Sequence, residues 1–211
     1  MRKANEPQSG FAPADASHDH LIERRISSQQ VFAGGFLQVF RDEAELPDGL
    51  RVNREYIRHP GAAVVVPVLD DGRLVMERQF RYPLQKVLLE FPAGKIESGE
   101  PIGACVQREL LEETGYTARE WALAGRLHNA AAYSDEFIEL WFARGLTSGT
   151  QRLDVGELLE VCLMEPDAVM RLAAKGELTD AKTMIGLLWL EHWKQGRWEP
   201  RWMSAEQAAR S

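Results

Sequence analysis

The chain has 211 residues, enough for one domain or one domain with a small annex. Apolar residues make up 45% and charged residues 27%, the balance of a soluble globular protein able to bury a core. With 25 basic and 32 acidic side chains the net charge is −7, which argues against binding a nucleic-acid backbone, and no apolar run approaches the roughly 20 residues that span a bilayer.

Residues 1–20 lack periodicity and carry no apolar stretch of signal-peptide length, and they read as a mobile tail. Strands are predicted over 25–32, 36–41 and 51–57, separated by Gly34-Gly35 and Pro47-Asp48-Gly49. Residues 62–69, almost wholly apolar and β-branched, read as a central strand. Pro67 cannot donate to a ladder, so a bulge or local edge is expected there. Asp71-Gly72 then turns the chain into a strand over 74–80, and further strands are predicted at 87–91, 123–130, 136–143 and 158–164. A helix is predicted over 101–114, with Pro101 in its first turn and Gly115 as its left-handed cap. A shorter helix covers 166–175, and a last one 180–194, where Met184, Leu187, Leu188 and Leu190 recur at helical spacing.

The sum is a mixed α+β fold, a β body with helices packed on it. The expected organisation is a tail over 1–20, a main domain over 21–200 and a C-terminal tail over 201–211. The strands within 21–58 are too few and too short to stand alone and are expected to form a dimer. Trp189, Trp193, Trp198 and Trp202 read as packing or dimer surface. Two cysteines, Cys105 and Cys162, build neither a disulfide framework nor a Cys-rich zinc site, and point to a reducing cytoplasm.

The chemically informative stretch is 94–116, GKIESGEPIGACVQRELLEETGY. Glu109, Glu112 and Glu113 stand at i, i+3 and i+4, on one face of the predicted helix, and Glu100 lies in the loop before it. Like charges at this spacing cost an isolated helix roughly 0.2–0.5 kcal/mol. Two readings compete: a solvated acidic face, or a site for a hard divalent cation that takes carboxylate oxygens. The flanks favour the second. Ile102, Val106 and Leu110 form an apolar stripe opposite the acids, and the loop Pro92-Ala93-Gly94-Lys95 can present backbone carbonyls to a metal.

Read whole, the segment resembles the signature of the Nudix hydrolases, G-x5-E-x7-R-E-U-x-E-E-x-G-U, with U a bulky apolar residue. Gly94, Glu100, Arg108, Glu109, Glu112, Glu113 and Gly115 meet every fixed position; Leu110 fills the first U, and Tyr116 the last, where an aliphatic residue is usual. The resemblance implies the Nudix fold, a mixed β-sheet sandwiched between α-helices, here with an N-terminal β extension. It implies that Glu109, Glu112 and Glu113 bind catalytic Mg²⁺, with Mn²⁺ a substitute. Glu100 and the Ala93 carbonyl are then supplementary ligands, and Arg108 pairs with an acid of the loop. Family members hydrolyse a nucleoside diphosphate linked to a second moiety, the metals polarising the phosphorus–oxygen bond and activating water.

Three flanking runs, ERQFRYP over 77–83, LEFPAG over 89–94 and GELTDAKT over 176–183, resemble the ADP-ribose pyrophosphatase branch and its nucleotide-sugar relatives. That resemblance implies conversion of ADP-ribose to AMP and ribose 5-phosphate by a homodimer. It puts Arg81 on a substrate phosphate or the sugar, and Glu90 on a ribose hydroxyl or as a cap of its loop. The loop NAAAYSDE over 129–136 lacks the proline of ADP-ribose-specific members, so other ADP-sugars and GDP-mannose remain rival substrates, with Glu136 a candidate for binding them. The branch takes its general base from a loop well beyond the signature; here Glu157, after Gly156, is the candidate and Glu136 its competitor, while Glu160 is expected to face solvent. A rival of another class is a domain that senses a nucleotide sugar without cleaving it. The complete signature argues against that.

Overall fold

The computed structural model describes residues 18–211. The tail expected over 1–20 therefore lies outside the described residues up to position 17; beyond it comes a single 3-10 turn, Asp19–Leu21. The chain divides between Ile57 and Arg58 into two compact units.

The first unit is a three-stranded sheet in the order β1 (Arg24–Ala33), β2 (Gln38–Glu45) and β3 (Arg51–Arg58). The first two strands are antiparallel, from Arg24↔Glu45 to Ala33↔Gln38. β2 runs four residues past its expected end because Asp42 to Glu45 stay paired with β1. Arg24–Glu45 and Arg41–Glu55 bridge the strands at the surface, where water screens such pairs.

The second unit carries two sheets. In the larger, β4 (Ala62–Pro67) lies between β7 (Ala93–Lys95) and β9 (Ile138–Ser148), and the full order adds β8 (Tyr116–Leu127) and β11 (Met203–Ser204) as β11-β8-β9-β4-β7. Strands β4 and β9 are parallel, and the other pairs are antiparallel. The smaller sheet sets β5 (Leu74–Arg81) between β10 (Leu159–Met164) and β6 (Lys86–Glu90).

Alternation along β4 explains the layering. Ala63 and Val65 point to α1 (Ile102–Thr114), packing with Cys105, Val106, Leu110, Trp121 and Trp141. Val64 and Val66 point the other way, to Phe91, Phe142, and Leu187 and Leu190 of α3 (Ala181–Lys194). The sheet is thus sandwiched between α1 on one face and α3, with α2 (Pro166–Ala174), on the other. Trp189, Trp193, Trp198 and Trp202 pack against the second cluster, Trp189 and Trp198 edge to face with centroids 5.0 Å apart.

Pro67 sits where its missing N–H costs nothing. The Val65 N–H points towards the β7 side, bonding the Pro92 carbonyl at 3.0 Å, and two residues on, at Pro67, the pairing with β7 has ended. Pro101 stands just before α1 rather than in its first turn, and Gly115 closes the helix at φ +76, where a side chain would be strained. Three further expectations differ from the structure. β8 begins at Tyr116 rather than 123, because its first residues, from Tyr116 to Glu120, pair with the end of a longer β9. The three-residue β7 is too short to show a pattern. Residues 203–208, expected in a tail, form β11 and α4 (Ala205–Ala208) instead. Ala208 is fully buried there, so close to α1 that a Cβ on Gly103 would lie 1.8 Å from its carbonyl oxygen.

Candidate active site

The acidic residues of α1 are organised by one arginine. Arg108 donates to both Glu100 oxygens, at 2.9 and 3.0 Å, and to Glu109 and Glu112 at 2.9 and 3.0 Å. A further bond, at 3.1 Å, goes to the Lys95 carbonyl, so the loop before α1 is tied to the helix. Shared among so many acids, the guanidinium is held well above its ordinary pKa, and Glu100 falls below the usual carboxylate range.

Glu109 and Glu113 turn inwards. Burial raises Glu109 to about 7, with Arg108 offsetting part of the effect and Glu112 and Glu157 adding to it. Glu113 is only 3% exposed and accepts the Ala93 N–H at 2.9 Å. Burial, then repulsion from Glu77, Glu109 and Glu157, pushes it well above the ordinary range. Gly94 leaves the space that Glu109 occupies: a Cβ there would lie 1.9 Å from the carboxyl carbon.

A second group lies on β5 and β6. Arg81 makes a fork with Glu90 at 2.7 and 2.6 Å. Glu90 is fully buried and also accepts from Lys182, whose ammonium donates to Asp180 at 2.9 Å. Asp180 caps α3 through the Thr183 N–H, and the Thr183 hydroxyl oxygen accepts the Phe91 N–H at 2.9 Å. Burial alone would raise Glu90; the bonds from Arg81 and Lys182 outweigh it and hold the carboxyl below its usual range. Both Glu90 oxygens are thus engaged with cations.

The loop after β9 delivers Glu157. Its start is pinned to the end of α1, where the Arg152 N–H donates to the Glu112 carbonyl and the Gln151 side chain to the Glu113 carbonyl. Those bonds satisfy carbonyls that a helix end leaves unpaired. Glu157 then stands beside Gln79 of β5, 3.5 Å away, and repels Glu77, Glu109 and Glu113. Glu136 is engaged otherwise: its carboxylate is 3.5 Å from His59 and its carbonyl 3.0 Å from His128. Glu160 is exposed and pairs with Arg78.

Sequence reasoning missed Glu77 and the Lys182–Asp180 pair. Alternation along β5 places Glu77, Gln79 and Arg81 on one face, a signal open to reading. Glu77 is fully buried, directly opposite Glu90 in the ladder, and neither carboxylate oxygen has a hydrogen-bond partner. Burial first, then Glu90, raises it to about 8.

The donors fit a hard divalent cation. All are oxygens, two of the carboxylates are almost wholly buried, and Glu77 is orphaned. Among the described residues no three acidic, imidazole or thiol groups are gathered closely enough to hold one, and Arg108 pairs with Glu100, Glu109 and Glu112.

These raised carboxyls fix a sign for stability. Glu77, Glu109 and Glu113 bind protons in the folded chain at pH values where the unfolded chain has released them, so stability falls as pH rises from about 4.5 to about 8. Glu90 and Glu100, lowered, titrate below that window. In EDTA the melting temperature is expected to fall steadily from pH 5 to pH 8; a flat or rising profile would contradict this electrostatic picture.

A NUDIX domain model matches residues 58–187. The ADP-ribose pyrophosphatase of Bacillus subtilis is 35% identical over 173 residues, 81% of this chain and 94% of that protein. The methanol dehydrogenase activator of Bacillus methanolicus is 34% identical over 173 residues, 80% of this chain and 92% of that one. A crystal structure of an ADP compounds hydrolase superposes with a TM-score of 0.75 at 23% identity, covering 83% of this chain and 95% of that chain, a likeness of fold. A signature helix with every fixed position filled, a sheet sandwiched as the signature implies, and these matches over most of the length lead to one conclusion: the chain belongs to the NUDIX domain family.

Proposed function

We propose that this chain hydrolyses the diphosphate bond of nucleoside diphosphate sugars, and that ADP-ribose, cleaved to AMP and ribose 5-phosphate, is its preferred substrate. The observation that carries the reading is the cluster of α1 carboxylates with Glu157 in their field, beside a half-exposed Arg81 held by the buried Glu90, which Lys182 holds in turn. The Bacillus subtilis relative supports the choice of ADP-ribose.

Glu109, Glu112 and Glu113, with Glu100 and the Ala93 carbonyl, would hold Mg²⁺, for which Mn²⁺ can substitute. A bound Mg²⁺ supplies charge neutralisation of the diphosphate and a lowered pKa for water. The chain's own groups do the rest. Arg81, fixed in plane by Glu90 through Nε and Nη2, presents Nη1 to a phosphate oxygen. Lys182 and Asp180 hold Glu90 in place, so Glu90 positions Arg81. Glu157, on a loop hinged at Gly156 (φ +90), takes the proton of the attacking water.

Arg81→Lys keeps the charge and loses the fork. One charge-assisted hydrogen bond, about 1.5–3 kcal/mol, corresponds to a KM raised about 10- to 100-fold with kcat little changed. An unchanged KM would remove Arg81 from the substrate site.

The turn over 129–136 gives the rival substrate its footing. It closes tightly, with the Tyr133 and Ser134 amides both on the Ala130 carbonyl at 2.9 Å, and three alanines line it where a proline would stiffen it. Comparing kcat/KM for ADP-ribose, other ADP-sugars and GDP-mannose with Mg²⁺, products resolved by chromatography, tests the choice. ADP-ribose is expected to lead. A lead for GDP-mannose would reassign the substrate, and binding without cleavage across the panel would make the chain a sensor.

The working protein in this reading is a cytoplasmic homodimer. Both cysteines are free thiols, and Val31 and Phe32 of β1, with Leu37 in the turn that follows, are exposed apolar groups suited to a second copy. Light scattering at micromolar concentration is expected to give twice the chain mass; the mass of one chain would overturn the dimer.

A further inference from the structure

We propose that Glu77 is an additional carboxylate ligand of the divalent-cation site, supplied from β5 rather than from α1. The inference rests on the cation-dependent reading above and extends its ligand set to a residue outside the signature.

Burial and isolation carry it. Glu77 is fully buried and neither of its oxygens has a hydrogen-bond partner. A buried carboxylate in that condition is costly, and proteins pair such groups or bind metal with them. Glu90 provides the internal comparison. It is equally buried and faces Glu77 across the ladder, where like charges directly opposite are unfavourable. Yet Glu90 takes bonds from both nearby cations, Arg81 and Lys182. Lys182 is further committed to Asp180. Both cations attract Glu77 at a distance, and neither donates a hydrogen bond to it.

The charges around it are also informative. The groups that act on Glu77 are Glu90, Lys182, Arg81 and Glu157, and Glu113 in turn is repelled by Glu77 more than by any other carboxylate. Glu77 and Glu113, the innermost glutamate of α1, therefore lie within each other's field, and the candidate base Glu157 acts on both. Two almost wholly buried carboxylates, on elements distant in sequence, thus act on each other, and Gln79, on the same face of β5 as Glu77, stands 3.5 Å from Glu157. A dication between Glu77 and Glu113 satisfies both, and relieves a repulsion that hydrogen bonding in the site leaves standing. Hard oxygen donors without sulfur or imidazole select Mg²⁺ or Mn²⁺ over softer metals.

The test is Mn²⁺ binding to the full chain, stripped with EDTA and dialysed, followed by calorimetry and by the electron paramagnetic resonance of unbound Mn²⁺. Glu77→Gln keeps the shape and the hydrogen-bonding capacity of a protonated carboxyl but loses the anionic ligand. It is expected to weaken Mn²⁺ binding at least about 10-fold, the range found when groups supporting a metal site are removed. Its melting temperature in EDTA at pH 8 should equal or exceed that of the unaltered chain, since a buried repulsion is gone. Mn²⁺ affinity within twofold of the unaltered chain would overturn the proposal and leave Glu77 as a proton-sharing neighbour of Glu113. Should Glu77→Gln fail to fold, Glu77→Asp retains the charge and withdraws it by one methylene. Weaker Mn²⁺ binding there supports the proposal, and unchanged binding rejects it. An unaltered chain that binds no Mn²⁺ would fail the functional reading itself, a result separate from equal binding by both proteins.

Discussion

Glu113→Gln is expected to lower turnover about 10²- to 10³-fold while the fold survives, since a lost metal ligand forfeits several kcal/mol of transition-state charge stabilisation and each 1.4 kcal/mol is tenfold in rate. The size follows from the position of the residue. Glu113 is almost wholly buried, and its Oε2 accepts the Ala93 N–H. Gln retains an acceptor for that bond, so the loop before α1 keeps its anchor. What disappears is a negative charge that burial, Glu77, Glu109 and Glu157 all oppose. The variant is therefore expected to be at least as stable as the unaltered chain in EDTA at pH 8, and to gain less from added Mg²⁺. Glu112→Gln, at the more open edge of the same face, should lose turnover similarly. Near-full activity at low Mg²⁺ in either variant would remove that residue from the ligand set.

Glu157→Gln should lower turnover about 10²- to 10⁴-fold, the usual worth of a positioned general base, with Mg²⁺ and substrate affinity within a few-fold. The geometry separates this residue from its competitor. Glu157 is carried by a loop whose start is bonded to the last carbonyls of α1, and it stands beside Gln79 among the buried acids. Glu136 is placed against His59 and His128 instead. The Glu136→Gln variant should retain turnover within a few-fold. The reverse pattern would move the base to the 129–136 loop, and equal losses in both would argue that closure of the two loops, rather than proton transfer, limits the rate.

The α1 half of the site was legible because its determinants are local. Pro101, Gly115 and the stripe of Ile102, Val106 and Leu110 mark a helix and its buried side, and the i, i+3, i+4 spacing then places the acids. Arg108 meets Glu100 only eight positions away. The other half depends on long-range register. Lys182 reaches Glu90 across ninety-two positions, and whether Glu90 faces a ribose or a lysine is decided by where α3 begins. Glu77 becomes conspicuous only when the β5–β6 ladder sets it opposite Glu90 and burial removes its partners. The same limit applies to the fold. β4 and the ends of α3 follow from composition and spacing, whereas β7, three residues long, exists because β4 offers it an edge, and residues 203–208 leave the tail because Trp121 and Gly103 give them a surface.

Phosphorus NMR of ADP-ribose with the EDTA-stripped chain, before and after Mg²⁺ is added, tests the central claim most directly. The diphosphate resonances should persist until the metal is present. They should then give way to two phosphomonoester signals in equal amounts, those of AMP and ribose 5-phosphate. Diphosphate resonances that stay intact at saturating Mg²⁺, for ADP-ribose and for every other nucleotide sugar tried, would contradict the assignment of this carboxylate site as hydrolytic.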